Sequence, residues 1–387
     1  MKKLKVALVH DYLNEFGGAE RVLLALSEMY PEAPIYTAFY KKGSQAHERF
    51  ANKKIIPSWA QYVPGFVGKL HSPLRFLAPL IWRSFNFSGY DVVISSASWY
   101  ITKGIDVPKK TPHVSYIHTP PRYLYGYQTS LEWQKYWLVR QYAKIVNHFL
   151  RMYDFESAQK PDVLVVNSQN VLKRVKKFYR RSAVVIYPPV DLPKVELATR
   201  GEYFLVISRI VGGKGLALAV EAANALKVPL KVVGNGAGWG SEEEKLKVLA
   251  GNTVEFLGHV SDAELSRLYA GAKAFLALAE DEDFGITPVE AMGAGTPVIA
   301  YRGGGYIETV VEGKTGIFFD ELTAGSLAAA MKKIGLMYFP EDDCRKQAKL
   351  FSKEVFVEKM TRIIERAYEQ KKNNKTRHPL FQIQWRV

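Results

Sequence analysis

Short β-branched and aliphatic runs alternate with helix-patterned stretches along this whole chain, and that alternation limits the fold more than any other feature. Parallel strands need a crossover between them, usually a helix, so the pattern reads as parallel sheets covered on both faces. In the first half, strands are predicted at LKVALV (4–9), PIYTAF (34–39), DVVISS (91–96), HVSYIH (113–118) and DVLVVN (162–167). In the second half they are YFLVIS (203–208), LKVVG (230–234), VEFLG (254–258), KAFLAL (273–278) and PVIAY (297–301). A chain of 387 residues, 48% of them apolar, is too long for one ordinary core and suits two. The turn-rich stretch YPPVDLP (187–193) separates the two sets, and its prolines block continuation of either sheet. The expected architecture is α/β, with two doubly wound Rossmann-like domains, 1–190 and 191–354. Ligands of such sheets bind beyond the C-terminal strand ends, so two of them facing across a cleft place the site between them.

Charge is distributed unequally. The net charge is +15, and residues 1–190 carry 27 Lys and Arg against 12 Asp and Glu, whereas residues 191–387 carry 26 of each. A solvated surface accounts for this, and so does an anionic partner such as lipid headgroups or a phosphorylated acceptor. No recognition motif for nucleic acid accompanies the charge, and none is expected as a partner. No apolar run is long enough to span a bilayer, and MKKLKVALVH enters a strand with no cleavage signal, so a cytoplasmic protein is expected. The single cysteine, Cys344, rules out an intramolecular disulfide and agrees with a reducing compartment.

Chemistry-bearing residues gather after predicted strands. EDFGITPVE (282–290) sets Glu282 and Glu290 at the ends of a seven-residue spacer. Thr287, Pro288 and Glu290 are expected to open a helix with a capping box, leaving Glu282 in the loop. Two acceptor-only carboxylates beside backbone N–H groups suit a polyhydroxylated, partly anionic ligand such as a nucleotide sugar. SRIVGGKG (208–215) offers the planar fork of Arg209 and the point charge of Lys214 among glycines, a combination suited to a diphosphate. HDYLNEFGGAERV (10–22) opens a helix at Gly17 and Gly18, and SYIHTPPRYLYGY (115–127) puts His118 at a strand end with Arg122 and Tyr123 beyond two prolines. GNGAG begins at Gly234, and FLGHVSDAEL (256–265) contains His259 and Val260.

These segments resemble, in order and over nearly the whole chain, the retaining glycosyltransferases of family 4, of the GT-B architecture and the mannosyltransferase-like branch. Residues 282–290 match the E-x7-E signature, SRIVGGKG is similar to its R-x4-K pyrophosphate clamp with Ser208 where glycine is usual, and GGAERV and YIHTPPRY match its first-loop and histidine motifs. The resemblance implies that Arg209 and Lys214 neutralise the leaving diphosphate. It implies that Glu282 and the amides of Phe284, Gly285 and Ile286 hold the donor hexose, and that Glu290 binds the ribose. Gly17 and Gly18 would lie near the donor phosphate, Gly234 and Val260 along the nucleotide, His118 against the donor sugar, and Arg122 and Tyr123 on the acceptor side. The terminal segment 355–387 would cross back onto the N-terminal domain, with Phe381, Ile383 and Trp385 able to dock.

The expected activity is transfer of a hexose, mannose on the strength of the His118 segment, from a GDP- or UDP-sugar to a glycan or lipid-linked saccharide with retention of configuration. No cofactor is expected. Asp281, Glu282 and Asp283 spell a D-x-D metal signature, but Glu282 serves the E-x7-E frame and two cations meet the diphosphate, so metal-independent chemistry is expected. The insert 57–87 interleaves Trp59, Tyr62, Phe66, Phe76 and Trp82 with Lys69, Arg75 and Arg83; it packs as core or lies on an anionic membrane. A nucleotide-sugar 2-epimerase on the same scaffold and a non-catalytic module for anionic glycolipid or nucleic acid remain alternatives. An acceptor-free donor assay separates the first, and donor binding the second.

Overall fold

A computed structural model describes residues 4–127, 129, 136–193, 200–211, 213–236 and 242–373. Gly212, Gly238 and the docking candidates Phe381, Ile383 and Trp385 lie outside the described residues. The chain divides into two compact units. The first holds residues 4–127 and 136–189 with the last helix from Glu354, and the second holds 190–353.

The first unit carries a sheet of β1 (Val6–His10), β2 (Ile35–Thr37), β3 (Ile55–Pro57), β4 (Val92–Ala97), β5 (His113–Ile117), β6 (Val163–Val166) and β7 (Val184–Val185). Its order is β3-β2-β1-β4-β5-β6-β7, parallel throughout. The second unit carries β8 (Phe204–Ile207), β9 (Leu230–Val233), β10 (Val254–Gly258), β11 (Ala274–Ala277), β12 (Val298–Tyr301) and β13 (Gly316–Phe319) in the order β10-β9-β8-β11-β12-β13, again parallel. Both are doubly wound α/β sheets. Every residue of β1, β4, β5, β6 and β11 is buried, which is why these strands do not alternate apolar with charged residues, the few polar ones being His10, Ser95, Ser96, His113 and Ser115.

In each sheet the chain reverses its direction of travel beside the first strand, between β1 and β4 and between β8 and β11. Loops leaving the two central strands diverge there and open a crevice at the C-terminal edge. The last helix, Lys353–Lys372, lays Phe356, Met360, Ile363, Ile364 and Ala367 into the first unit's core beside Val6, Leu8 and Tyr116. That spacing is one helical face, and burial of each large side chain contributes roughly 2 kcal/mol.

The insert 57–87 folds as short helical turns, Trp59–Tyr62, Phe66–Leu70, Arg75–Leu77 and Ala78–Arg83. Phe66 and Trp82 are fully buried and Arg75 nearly so, while Trp59, Tyr62 and Phe76 are exposed. Packing therefore claims two of these five aromatics and leaves three at the surface. Arg75 bonds the Asn147 side chain at 3.0 Å and lies over the rings of Tyr123 and Tyr142, which ties the insert to the helix Trp137–Gln159. That helix also supplies Asp154, buried against Lys103 and accepting the Tyr125 hydroxyl at 2.7 Å. Among the described residues no helix is long and apolar enough to cross a membrane.

Candidate active site

At the second unit's crevice, β8 runs out into Ser208 and Arg209 while its neighbour β11 runs out into residues 278–285. Gly215 makes their approach close. Its φ is +70°, and a Cβ there would sit 2.7 Å from Leu278 Cβ, so only glycine lets the turn before the helix Leu216–Leu226 press on the end of β11. The result brings Lys214 Nζ to 2.8 Å from Glu282 Oε2, both side chains partly exposed. Two residues 68 apart in sequence thus share one end of the sheet, and the exposed Arg209 leaves the same edge.

The Glu282 loop rests on a support the sequence reading missed. The Gly305 N–H donates to the Glu282 carbonyl at 2.8 Å, and a Cβ on Gly304 would lie 2.4 Å from that oxygen. RGGG at 302–305, straight after β12, is the signal that marked it. Phe284 is buried and meets Phe351 edge to face at 5.5 Å.

The helix start is corrected. The helix runs Ile286–Gly293 from an N-cap at Gly285, φ +88°, with no side-chain cap bond, so Thr287 and Pro288 lie inside it and there is no capping box through Glu290. Left-handed Gly285 turns the chain two residues earlier than threonine capping would, and Tyr306 fills the space a Cβ would need. Glu290 consequently sits in the second turn, not the first. It is buried, and its carboxylate accepts the Tyr269 hydroxyl at 2.7 Å. Tyr269, also absent from the sequence reading, orients it.

Gly234 follows β9 with φ +131°, and a Cβ there would come within 2.0 Å of the Ser208 carbonyl oxygen. The Ile210 N–H donates to the Asn235 carbonyl at 3.0 Å, so Gly234 shapes the Arg209 loop through packing. Gly234→Ala should therefore destabilise the second unit by about 1–3 kcal/mol from backbone strain. An unchanged urea midpoint would refute this. Val260 precedes the helix Asp262–Gly271, whose Ser261 cap accepts from the Glu264 N–H at 3.2 Å.

The first unit gathers its residues at the matching edge. His10 ends β1 and is in register with Ser96 of β4. Ser96 Oγ lies 3.0 Å from His10 Nδ1 and 2.8 Å from His118 Nε2, while His10 Nε2 lies 3.2 Å from Glu20 Oε1. The other Glu20 oxygen accepts the Gly17 N–H at 2.8 Å, so that amide, expected near a phosphate, is engaged in opening the helix Gly18–Met29. Burial, with His10 close by, pushes the His118 imidazole down to about 3, leaving it neutral at physiological pH. Burial opposes ionisation of Glu20, yet bonds from His10 and Gly17 outweigh it and hold its carboxyl below the usual range.

Asp11 completes this edge, its Oδ2 accepting the N–H groups of Ser98, Trp99 and Tyr100 at 2.9, 2.6 and 3.0 Å. Arg122 opens the short helix Arg122–Tyr125. Tyr123 donates to the Trp99 carbonyl at 3.3 Å and packs on that ring. His10, Glu20, Asp11 and Ser96 are additions to the sequence reading; the first three lay within or beside the segment that held Gly17 and Gly18.

Comparison with known proteins gives the family and the fold. Residues 189–351 match the family model described as glycosyl transferases group 1, and residues 16–194 match that described as glycosyltransferase family 4. The chain is 25% identical over 395 residues to the alpha-1,3/1,6-mannosyltransferase ALG2 of Dictyostelium discoideum, covering 86% of this chain and 90% of that one. It is 34% identical over 146 residues to a glycogen synthase of Pseudomonas aeruginosa, covering 36% of this chain and only 28% of the synthase. Among solved structures it resembles sucrose-phosphate synthase of Thermosynechococcus elongatus, with a TM-score of 0.70 at 18% identity over 95% of this chain and 100% of that chain. Anabaena Alr3699/HepE in complex with UDP gives a TM-score of 0.69 at 18% identity over 94% of this chain and 100% of that one. The fold is GT-B, and the chain belongs to glycosyltransferase family 4.

Proposed function

We propose that this protein transfers mannose from GDP-mannose to a glycan or lipid-linked saccharide, with retention of configuration and without a metal ion. The observation that carries the reading is the Lys214–Glu282 pair at the switch point of the second sheet. An ammonium has three donors, so Lys214 can hold Glu282 and a phosphate oxygen together. Glu282 then orients hexose hydroxyls, and Lys214 with Arg209 places positive charge where the departing diphosphate gains negative charge, usually the dominant contribution in such sites. Glu290, oriented by Tyr269, binds the ribose, and the amides of Phe284, Gly285 and Ile286 assist at the sugar. Gly234 and Val260 lie along the nucleotide.

His118, neutral and held by Ser96, serves on the sugar side, Gly18 on the phosphate side, and Arg122 and Tyr123 on the acceptor side. The acceptor hydroxyl attacks from the face the diphosphate leaves, and the leaving phosphate oxygen takes its proton. The Dictyostelium mannosyltransferase supports mannose as the sugar. The reading places the enzyme in the cytoplasm.

Thermal-shift screening tests it. GDP at about one hundred times its Kd should stabilise the protein by about 2.7 kcal/mol, and transfer from GDP-mannose should survive excess chelator. A shift with UDP alone would replace the donor. Collapse in chelator restored by magnesium or manganese would overturn metal independence, and sugar conversion without acceptor would favour an epimerase.

A further inference from the structure

The helix Trp137–Gln159 exposes an apolar face that the described residues leave uncovered. Leu138, Ile145, Phe149 and Met152 are 65%, 63%, 60% and 46% exposed, and at 100° per residue they fall within an arc of about 60°. Ala143, Asn147, Leu150 and Asp154 occupy the opposite, buried face. Arg140, Lys144 and Arg151 line one flank, forming with Ile145, His148 and Phe149 a shallow open groove.

We infer that this face docks on an anionic lipid bilayer, lying in the plane of the headgroups. An apolar strip with cationic residues along one flank is the pattern of an interfacial helix, since the strip enters the acyl boundary while the cations meet lipid phosphates. Charge selects this occupant over a second copy. Residues 1–190 hold the chain's whole excess of positive charge, so pairing two such faces would bring like-charged flanks together, whereas an anionic surface complements them. The helix presents a longer continuous apolar strip than the insert 57–87, which buries Phe66, Trp82 and Arg75 and leaves only Trp59, Tyr62 and Phe76 of its named aromatics exposed. The inference deepens the proposed function and rests on its lipid-linked acceptor.

Flotation of the whole protein with vesicles is the test. Phosphatidylcholine vesicles doped with phosphatidylglycerol should carry it at low salt, and pure phosphatidylcholine vesicles should not. The double variant Ile145→Glu, Phe149→Glu and, separately, Arg140→Glu, Lys144→Glu should each lower binding at least about tenfold. Neither should alter the melting temperature or the shift given by GDP, so failure of docking and failure of the donor reading are separable. Wild-type protein that stays unbound at low salt, or variants that float equally well, would overturn the inference. A dimer in sedimentation that Phe149→Glu dissolves would assign the face to self-association instead.

Discussion

Lys214→Ala and Glu282→Ala should each reduce hexose transfer about a thousandfold, a loss of about 4 kcal/mol in transition-state stabilisation, while leaving the fold intact. The two halves of this expectation come from different physics. The pair is partly exposed, with side chains 31% and 24% accessible, and such pairs contribute about 0–1 kcal/mol to folding, so urea midpoints should scarcely move. On the proposed function the same groups meet developing charge in the transition state, where each is worth much more. Lys214→Arg should recover part of the rate, since charge is kept but the planar fork cannot reproduce a point charge in the same turn. Glu282→Gln should recover little, because an amide offers one acceptor where the carboxylate offers two. Wild-type transfer in either alanine variant would remove the site assignment, and a collapsed midpoint would reassign the pair to structure.

The sheet centres were legible because buried parallel strands write themselves as largely apolar runs. The ten strands anticipated all appear, Val254–Gly258 with the ends expected and the others, Val92–Ala97 among them, displaced by a residue or two at one or both ends. The missed strands had no such text. Ile55–Pro57 is a three-residue edge strand ending in proline, and Val184–Val185 is two residues long. Gly316–Phe319 starts on a glycine that exists because a Cβ would collide with the Val298 carbonyl oxygen at 2.0 Å.

Site legibility followed the same division between local pattern and tertiary packing. Lys214 and Glu282 stood out through their loops, but their closeness depends on strand order, which no local pattern contains. The helix start at Gly285 depends on Tyr306, and the buried state of Glu290 depends on Tyr269. Capping chemistry read from four residues could register neither. Ser96 carried no signal at all, since a serine within a strand acquires meaning only from the histidines placed on both sides of it.

Acidification should unfold the first unit by titrating buried imidazoles. Burial holds His113 and His118 each down to about 3, against 6.5 for an ordinary histidine. The unfolded chain therefore binds protons that the folded chain refuses, so the stability is fully present above pH 6.5 and is lost as pH falls toward 3. At pH 4.5 each ring lies two units into that window, and together they remove about 5 kcal/mol, a large share of the roughly 5–15 kcal/mol that folds a domain. His71, also lowered by burial, acts in the same direction, and Glu20, held low, adds to the loss once pH drops below its usual range. Asp11 opposes them, because burial raises its carboxyl and protonation relieves that cost. Both histidines are anchored by serines, His113 Nε2 at 2.8 Å from Ser95 Oγ and His118 Nε2 at 2.8 Å from Ser96 Oγ, and the carboxylates that favour charging, Asp162 for His113 and Glu20 for His118, do not offset burial. Circular dichroism melts between pH 7 and pH 4.5 should show the fall, and His118→Gln, neutral throughout, should remove about half of the pH dependence while lowering stability at pH 7. A variant that keeps the full acid sensitivity would show that His118 does not bear the charge.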